Sequence, residues 1–289
     1  MAVTAAAVAD FLREIGQLER LVVGGGGGAA DHLTLARVTP DAVAGPGHLA
    51  WSRSAAAAAG FRGALLVCPA PAEAGGAPGG DAGQKLSPPP GTAIATCRNP
   101  RLAMAAVIDR FFGHLAADRD PEYADPALAG AVAAAGAWVK NARVGRNVTI
   151  GSHVVIGCSG MGYERDPDGR LVKFPQLGGV VIEDDVDVAA HASVQRGALG
   201  DTLLRRGAKI GPHVNVGHGV EVGEDVLIAG HAQVGGGARI GRAATVWQSA
   251  VIANGVTVGD GAVIGMSAAV RKDVGPGEVW AGNPARKLR

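Results

Sequence analysis

The sequence is short of cysteine, of net charge and of long apolar runs, and each shortage excludes something. Three cysteines (Cys68, Cys97, Cys158), odd in number and far apart in 289 residues, do not make a disulfide framework. A formal charge of +1, from 27 basic against 26 acidic residues, gives no bulk attraction for nucleic acid or an anionic membrane. No apolar run reaches the ~18–20 residues that a membrane-spanning helix needs. The opening MAVTAAAVADFLREIG carries acid early and no basic n-region, so no secretory leader is expected and the cytoplasm is the default compartment. Aromatics are scarce at 4%, yet hydrophobic residues make up 47%, ample for a core. Gly (46) and Pro (16) form about a fifth of the chain, below the ~25–30% of low-complexity sequence, and no strict Gly-X-Y run exists.

What is present is a repeat of six. Stepping by six from Leu204 gives Ile210, Val216, Val222, Ile228, Val234, Ile240, Val246, Ile252, Val258, Ile264 and Val270, all aliphatic. The next residue is Gly or Ala in nine of the eleven repeats from Ile210 onward. The same period runs through Val132, Trp138, Val144, Ile150 and Ile156, and through Ile182, Val188 and Val194. A period of six is neither helical nor a plain alternation. Short strands separated by corners generate it, three strands closing one coil of about 18 residues, with the aliphatic pointing inward and the small residue permitting a tight corner. This is the hexapeptide signature of a parallel β-helix whose coils bury against their neighbours. About twenty hexads predict six to seven coils.

Two insertions interrupt the count. Residues 158–179 must project as a loop, and residues 197–203 shift the phase by four. Loops on a rigid solenoid are where binding surfaces concentrate, and Tyr163, Arg165, Lys173, Phe174 and Gln176 give the longer one a varied chemistry. The first 125 residues lack the period. A helix is expected over 3–15, a glycine loop over 24–28, strands over 62–69 and 92–97, a Pro/Gly/Ala-rich connection over 71–91 and a helix over 101–117. The expectation is a small α/β domain, 1–125, with a boundary at Pro121 to Pro126, ahead of a β-helix domain, 126–289, bearing the 158–179 loop.

Of eight histidines, His32, His48 and His114 lie outside the repeat. His153, His191, His213 and His231 occupy the fourth hexad position. His218 alone occupies the third, in Val216-Gly217-His218-Gly219, where flanking glycines leave its ring unobstructed. That singles it out as a group able to act near neutral pH.

The run from GMGYERDPDGRLVKFPQLGG to VNVGHGVEVGEDVLIAG resembles the UDP-3-O-acylglucosamine N-acyltransferases of lipid A biosynthesis. VKFPQLG echoes the end of that family's projecting loop, Arg196 to Leu199 its turn, and VNVGHGV its catalytic-histidine segment. PDAVAGPGHLAW, GALLVC and RNPRLAMA are similar, in order, to its uridine-binding domain. The resemblance implies a left-handed parallel β-helix, a homotrimer with sites in the grooves between subunits, and an acyl thioester donor. It implies His218 as general base and the Gly236 amide, one coil on, as oxyanion donor. It further implies an amine acceptor bound by Trp51, Arg196 and the projecting loop (Tyr163, Phe174, Gln176), with His231 at the groove, and no resident metal.

The sequence also departs from that family. A second histidine falls at Gly255, a second uracil-facing aromatic at Ala57, an Asn at Ser54 and an Asp at Gln195. The ending Gly-Asn-Pro-Ala-Arg-Lys-Leu-Arg289 is instead similar to acetyl-CoA-dependent sugar acetyltransferases, in which basic side chains meet the CoA phosphates. Arg271, Lys272, Arg286 and Lys287 are the matching positions. The expected donor is thus an acyl-CoA or an acyl carrier protein. Two competing readings share the fold: a γ-carbonic-anhydrase-like zinc enzyme using His191, His213 and His218, and a non-catalytic scaffold.

Overall fold

A computed structural model of the chain describes residues 2–24, 30, 33–39, 44–71, 86, 88–113 and 131–289. Most of the glycine run, most of the 71–91 connection, the tail of the 101–117 helix, the Pro121 to Pro126 boundary, His32 and His114 lie outside the described residues. The chain divides into two compact units, Met1–Ala116 with Met161–Pro175, and Ala117–Gly160 with Gln176–Arg289. It is mainly β, a left-handed parallel β-helix preceded by a small α/β unit. No helix among the described residues is long and apolar enough to cross a membrane.

The first unit is built on a five-stranded sheet in the order Leu18–Val23, Ala93–Cys97, Leu65–Cys68, His48–Trp51, Arg37–Val38. Its first pair is antiparallel and the rest parallel. Every residue of the two central strands is buried, which is why GALLVC and TAIATC read as continuous apolar runs. Helix α1 (Ala5–Glu14) starts where Thr4 Oγ1 accepts the Ala7 N–H at 3.2 Å, and it buries Ala5, Val8, Ala9 and Leu12. Helix α2 (Pro100–Val107) starts one residue earlier than expected. Asn99 Oδ1 accepts the Leu102 N–H at 3.0 Å and Pro100 fills the first turn, where its missing N–H is no loss. It continues into a widened π turn, Ile108–Phe112. The alanine run 55–59 is a 3₁₀ turn capped by Ser54. An antiparallel hairpin, Tyr163–Arg165 with Leu171–Lys173, also belongs to this unit and packs on α2.

The second unit is the solenoid, three parallel sheets joined by tight corners. One sheet runs through Val148–Ile150, Lys209–Ile210, Leu227–Ile228 and Val263–Ile264. The next runs through Val155–Cys158, Ser193–Gln195, Asn215–Val216, Gln233–Val234 and Ala269–Val270. The third runs through Val180–Ile182, Thr202–Leu204, Glu221–Val222 and Thr257–Val258. All twelve aliphatics of the series Leu204 to Val270 are at most 2% exposed. Burying each contributes about 1.5–3 kcal/mol. A second inward series, two residues before the first, is equally buried: Ala208, Val214, Val220, Val226, Ala232 and onward.

The first coil corrects the expected phase. Val139, not Trp138, stacks on Ile156, and Val132 is 71% exposed while Ala133 pairs with Ile150. The aliphatic set slips by one residue there, and in a strand one residue moves a side chain to the opposite face. At its other end the solenoid closes with an antiparallel strand, Arg286–Lys287, paired to Val279–Ala281.

Candidate active site

Register determines which side chains share a corner. Val216, Val234, Ile252 and Val270 pair in succession on one sheet. The residues two places after them therefore line one edge of the prism: His218, Gly236, Asn254 and Lys272. His218 backbone is held on three sides. Its N–H donates to Gln195 Oε1 at 3.2 Å, its carbonyl accepts the Gly237 N–H at 2.8 Å, and the Gly219 N–H after it donates to buried Thr202 Oγ1 at 2.8 Å. Gly219 takes φ +67°, a left-handed value that favours glycine.

The ring of His218 is half-buried and lies against bare backbone. A Cβ at Gly236 would come 2.6 Å from its Nε2, and one at Gly160 would come 3.0 Å from its Cδ2. Gly160 and Gly236, both distant from it in sequence, thus give the imidazole room. Among the described residues no acceptor takes the Gly236 N–H, whose carbonyl accepts from Gly255 at 3.0 Å. A half-buried imidazole can take a proton, and beside it an amide with no acceptor among the described residues can stabilise a developing oxyanion, both within one coil.

The other predicted residues separate into groups. Arg271 and Lys272 are exposed at the His218 edge, three coils from the histidine. Three inter-strand steps are about 14 Å. Asn254, between Gly236 and Lys272, was not anticipated, although adding 18 to Gly236 reaches it. Arg286 and Lys287 sit on the closing strand, and Lys287 is committed to Glu278 at 2.7 Å. Glu278 also accepts from Trp280 Nε1 (2.8 Å) and from the Gly275 N–H (2.9 Å), and these partners, Lys287 foremost, pull its carboxyl down to about 2.

Gln176 and Arg196 are buried, 1% and 3% exposed, where the projecting segment rejoins the coils. Arg196 Nε donates to the Gly178 carbonyl at 2.6 Å and its N–H to the Cys158 carbonyl at 2.9 Å. His231 lies on a different corner. It completes an exposed column His153, His191, His213, His231, with ring centroids 5.2, 4.8 and 4.8 Å apart and nearly parallel planes. All four have φ between 56° and 62°. His191 and His213 therefore stack with each other and not with His218 in one chain. Among the described residues, no three His, Cys, Asp or Glu side chains gather as metal ligands would.

In the first unit, Trp51 lines a cavity of about 260 Å³ with Arg53, Pro69, Asn99, Pro100, Arg101 and Glu164. Phe174, 3% exposed, meets Trp51 at 6.0 Å between ring centroids and a 49° tilt. Arg53 lies 5.9 Å above the Trp51 ring, and Arg101 lies 5.7 Å from the Phe174 ring and 3.3 Å from Glu164. Tyr163 is exposed at the hairpin. Ala57, where the resemblance puts a second aromatic, packs instead against the cluster of Phe61, Leu66 and Ile94. Phe174 is the aromatic neighbour of Trp51.

Residues 201–236 match the family described as bacterial transferase hexapeptide (six repeats). The chain is similar to the UDP-3-O-acylglucosamine N-acyltransferases. It is 50% identical over 155 residues to that enzyme of Azorhizobium caulinodans, covering 54% of this chain and 43% of the relative. To the enzyme of Caulobacter vibrioides it is 51% identical over 155 residues, covering 54% and 45%. The match thus spans less than half the length of these hexapeptide-repeat relatives. Among solved structures, UDP-N-acetylglucosamine acyltransferase from Arabidopsis is 16% identical with a TM-score of 0.47, covering 55% of this chain and 61% of that one.

Proposed function

We propose that this hexapeptide-repeat chain is an N-acyltransferase that moves an acyl group from a thioester to the amine of a sugar or sugar-like acceptor. The observation that carries the reading is the contact of the His218 ring with the Gly236 backbone one coil away. The acceptor nitrogen attacks the thioester carbonyl and a C–N bond forms. His218 takes the proton that this nitrogen sheds, and the Gly236 N–H donates to the oxyanion. Collapse breaks the C–S bond, and the proton passes from His218 to the departing sulfur. General-base catalysis of this kind contributes about 10²–10⁴ in rate, and one oxyanion donor about 10²–10³.

Lys272 and Arg271, about 14 Å from His218 along one edge, suit the phosphates of a donor whose extended pantetheine arm spans that distance. The donor is an acyl-CoA or an acyl carrier protein. Arg286 and Lys287 are placed near the same end, with Lys287 already paired. The candidate acceptor contacts in the first unit are Trp51, Tyr163 and Phe174, and those in the second are Gln176 and Arg196. The assembly is a cytoplasmic homotrimer with His231 facing a neighbouring subunit, and no metal takes part.

Mass spectrometry of products, with acetyl-CoA and longer acyl-CoAs offered against a panel of amino sugars, tests the reading. The expected product is the amino sugar carrying the acyl group in place of one amine hydrogen. His218→Ala is expected to lower its formation about 10²–10⁴-fold. Undiminished transfer by His218→Ala sinks the proposal, and a sedimentation mass of one 28.8 kDa chain sinks the trimer.

A further inference from the structure

Gly160 ends the coil segment that follows strand Val155–Cys158, immediately before the hairpin segment in the chain. It is buried, and its φ is not in the left-handed region, so the backbone there does not demand glycine. The space does. A Cβ at this position would lie 2.8 Å from Gln195 Oε1, 3.0 Å from His218 Cδ2 and 3.2 Å from His218 Cβ. All three atoms belong to His218 or to the side chain that accepts its N–H. Two of them have little freedom: His218 Cβ is fixed by the backbone, and Gln195 Oε1 is held by its hydrogen bond. The third belongs to the ring, whose Nε2 already lies against Gly236. A methyl group at 160 pushes Gln195 Oε1 aside and presses on the imidazole and Cβ of His218, which must give by tenths of an ångström.

We propose that Gly160 and Gln195 are positioning residues for His218: the bare Cα of Gly160 sets the ring's rotamer and Gln195 tethers its backbone. This rests on the reading of His218 as the base for its catalytic meaning, but not for its geometry. Gln195 stands where the resemblance puts an aspartate. An amide supplies the acceptor oxygen for the His218 N–H without bringing a carboxylate charge beside the base.

The test is the imidazole spectrum of the full chain, labelled with ¹⁵N-histidine, with His218 assigned through His218→Gln. In Gly160→Ala the His218 resonances are expected to move, while those of His153, His191, His213 and His231 stay. The rate of thiol release from acetyl-CoA with glucosamine as acceptor is expected to fall about 10²-fold, the scale of an ångström-sized misplacement, with KM within about twofold. Should Gly160→Ala fold poorly, Gln195→Leu is read the same way, and Gln195→Glu, which keeps an oxygen for the N–H, is expected to restore the His218 resonances. Unmoved His218 resonances in both Gly160→Ala and Gln195→Leu overturn the positioning role. Moved resonances with an unchanged rate, alongside a fully active His218→Ala, support the positioning geometry and overturn the base reading instead.

Discussion

His218 and Gly236 stand one coil apart, so close that a Cβ on the glycine would lie 2.6 Å from Nε2 of the histidine. Gly236 has no left-handed φ, so alanine meets no backbone strain there. Gly236→Ala should therefore displace the ring at little cost in stability. We expect transfer to fall about 10²-fold and the melting temperature to hold, measured by product mass spectrometry and thermal unfolding on one preparation. Wild-type turnover would sever the link between ring position and rate.

Along the solenoid, stability rests on the inward rungs. Ile228 is fully buried while its neighbour Leu227 is 40% exposed on the same strand. Ile228→Ala is expected to cost about 2–5 kcal/mol, and Leu227→Ala within about 0.5 kcal/mol. Urea midpoints with unchanged slopes would check the pair. Equal effects would contradict the inward assignment of the series.

Acid should loosen the closing hairpin. Glu278, held to about 2 by Lys287, Trp280 and the Gly275 N–H, is depressed below its ordinary 4.5. A depressed carboxyl contributes stability above its unfolded value and loses it as pH falls through the folded one. The wild type should lose stability between about pH 4.5 and 2 more steeply than Glu278→Gln, followed by amide exchange of the last coil or by thermal unfolding. Parallel curves for the two proteins would count against the cluster.

The thiols should divide two against one. Burial raises Cys68 to about 11 and Cys97 to about 12, so both stay protonated and unreactive near neutral pH. Cys158 is half-buried, its Sγ 3.6 Å from Ser193 Oγ. A disulfide reagent is expected to label about one thiol per folded chain and all three in denaturant, with Cys158→Ser removing the native signal.

The solenoid was legible because its packing repeats: twelve aliphatics at one spacing cannot be met except by stacked coils. The second inward series was less visible because it mixes Ala with Val, and alanine is too small and too common to mark a repeat. The first coil escaped the period because Trp138 outweighs Val139 in hydrophobicity while the register buries the smaller one. The isolation of His218 at the third hexad position was readable from the repeat alone. That Gly160 touches it was not, since Gly160 lies 58 residues upstream, before the projecting segment whose length hides the register. Arg53, Arg101 and Glu164 carried no periodic signal at all. They meet Trp51 only because strand ends and the hairpin converge in the first unit.

The antiparallel strand Arg286–Lys287 has one more consequence. A stack of parallel coils has no intrinsic stop, and its last rung is a template on which another molecule's strand could dock and start a filament. Reversing direction at that rung breaks the parallel register that a further coil would continue, and the exposed Arg286 beside the Lys287–Glu278 pair puts charge on the edge. The same few residues that finish the prism also keep it from growing.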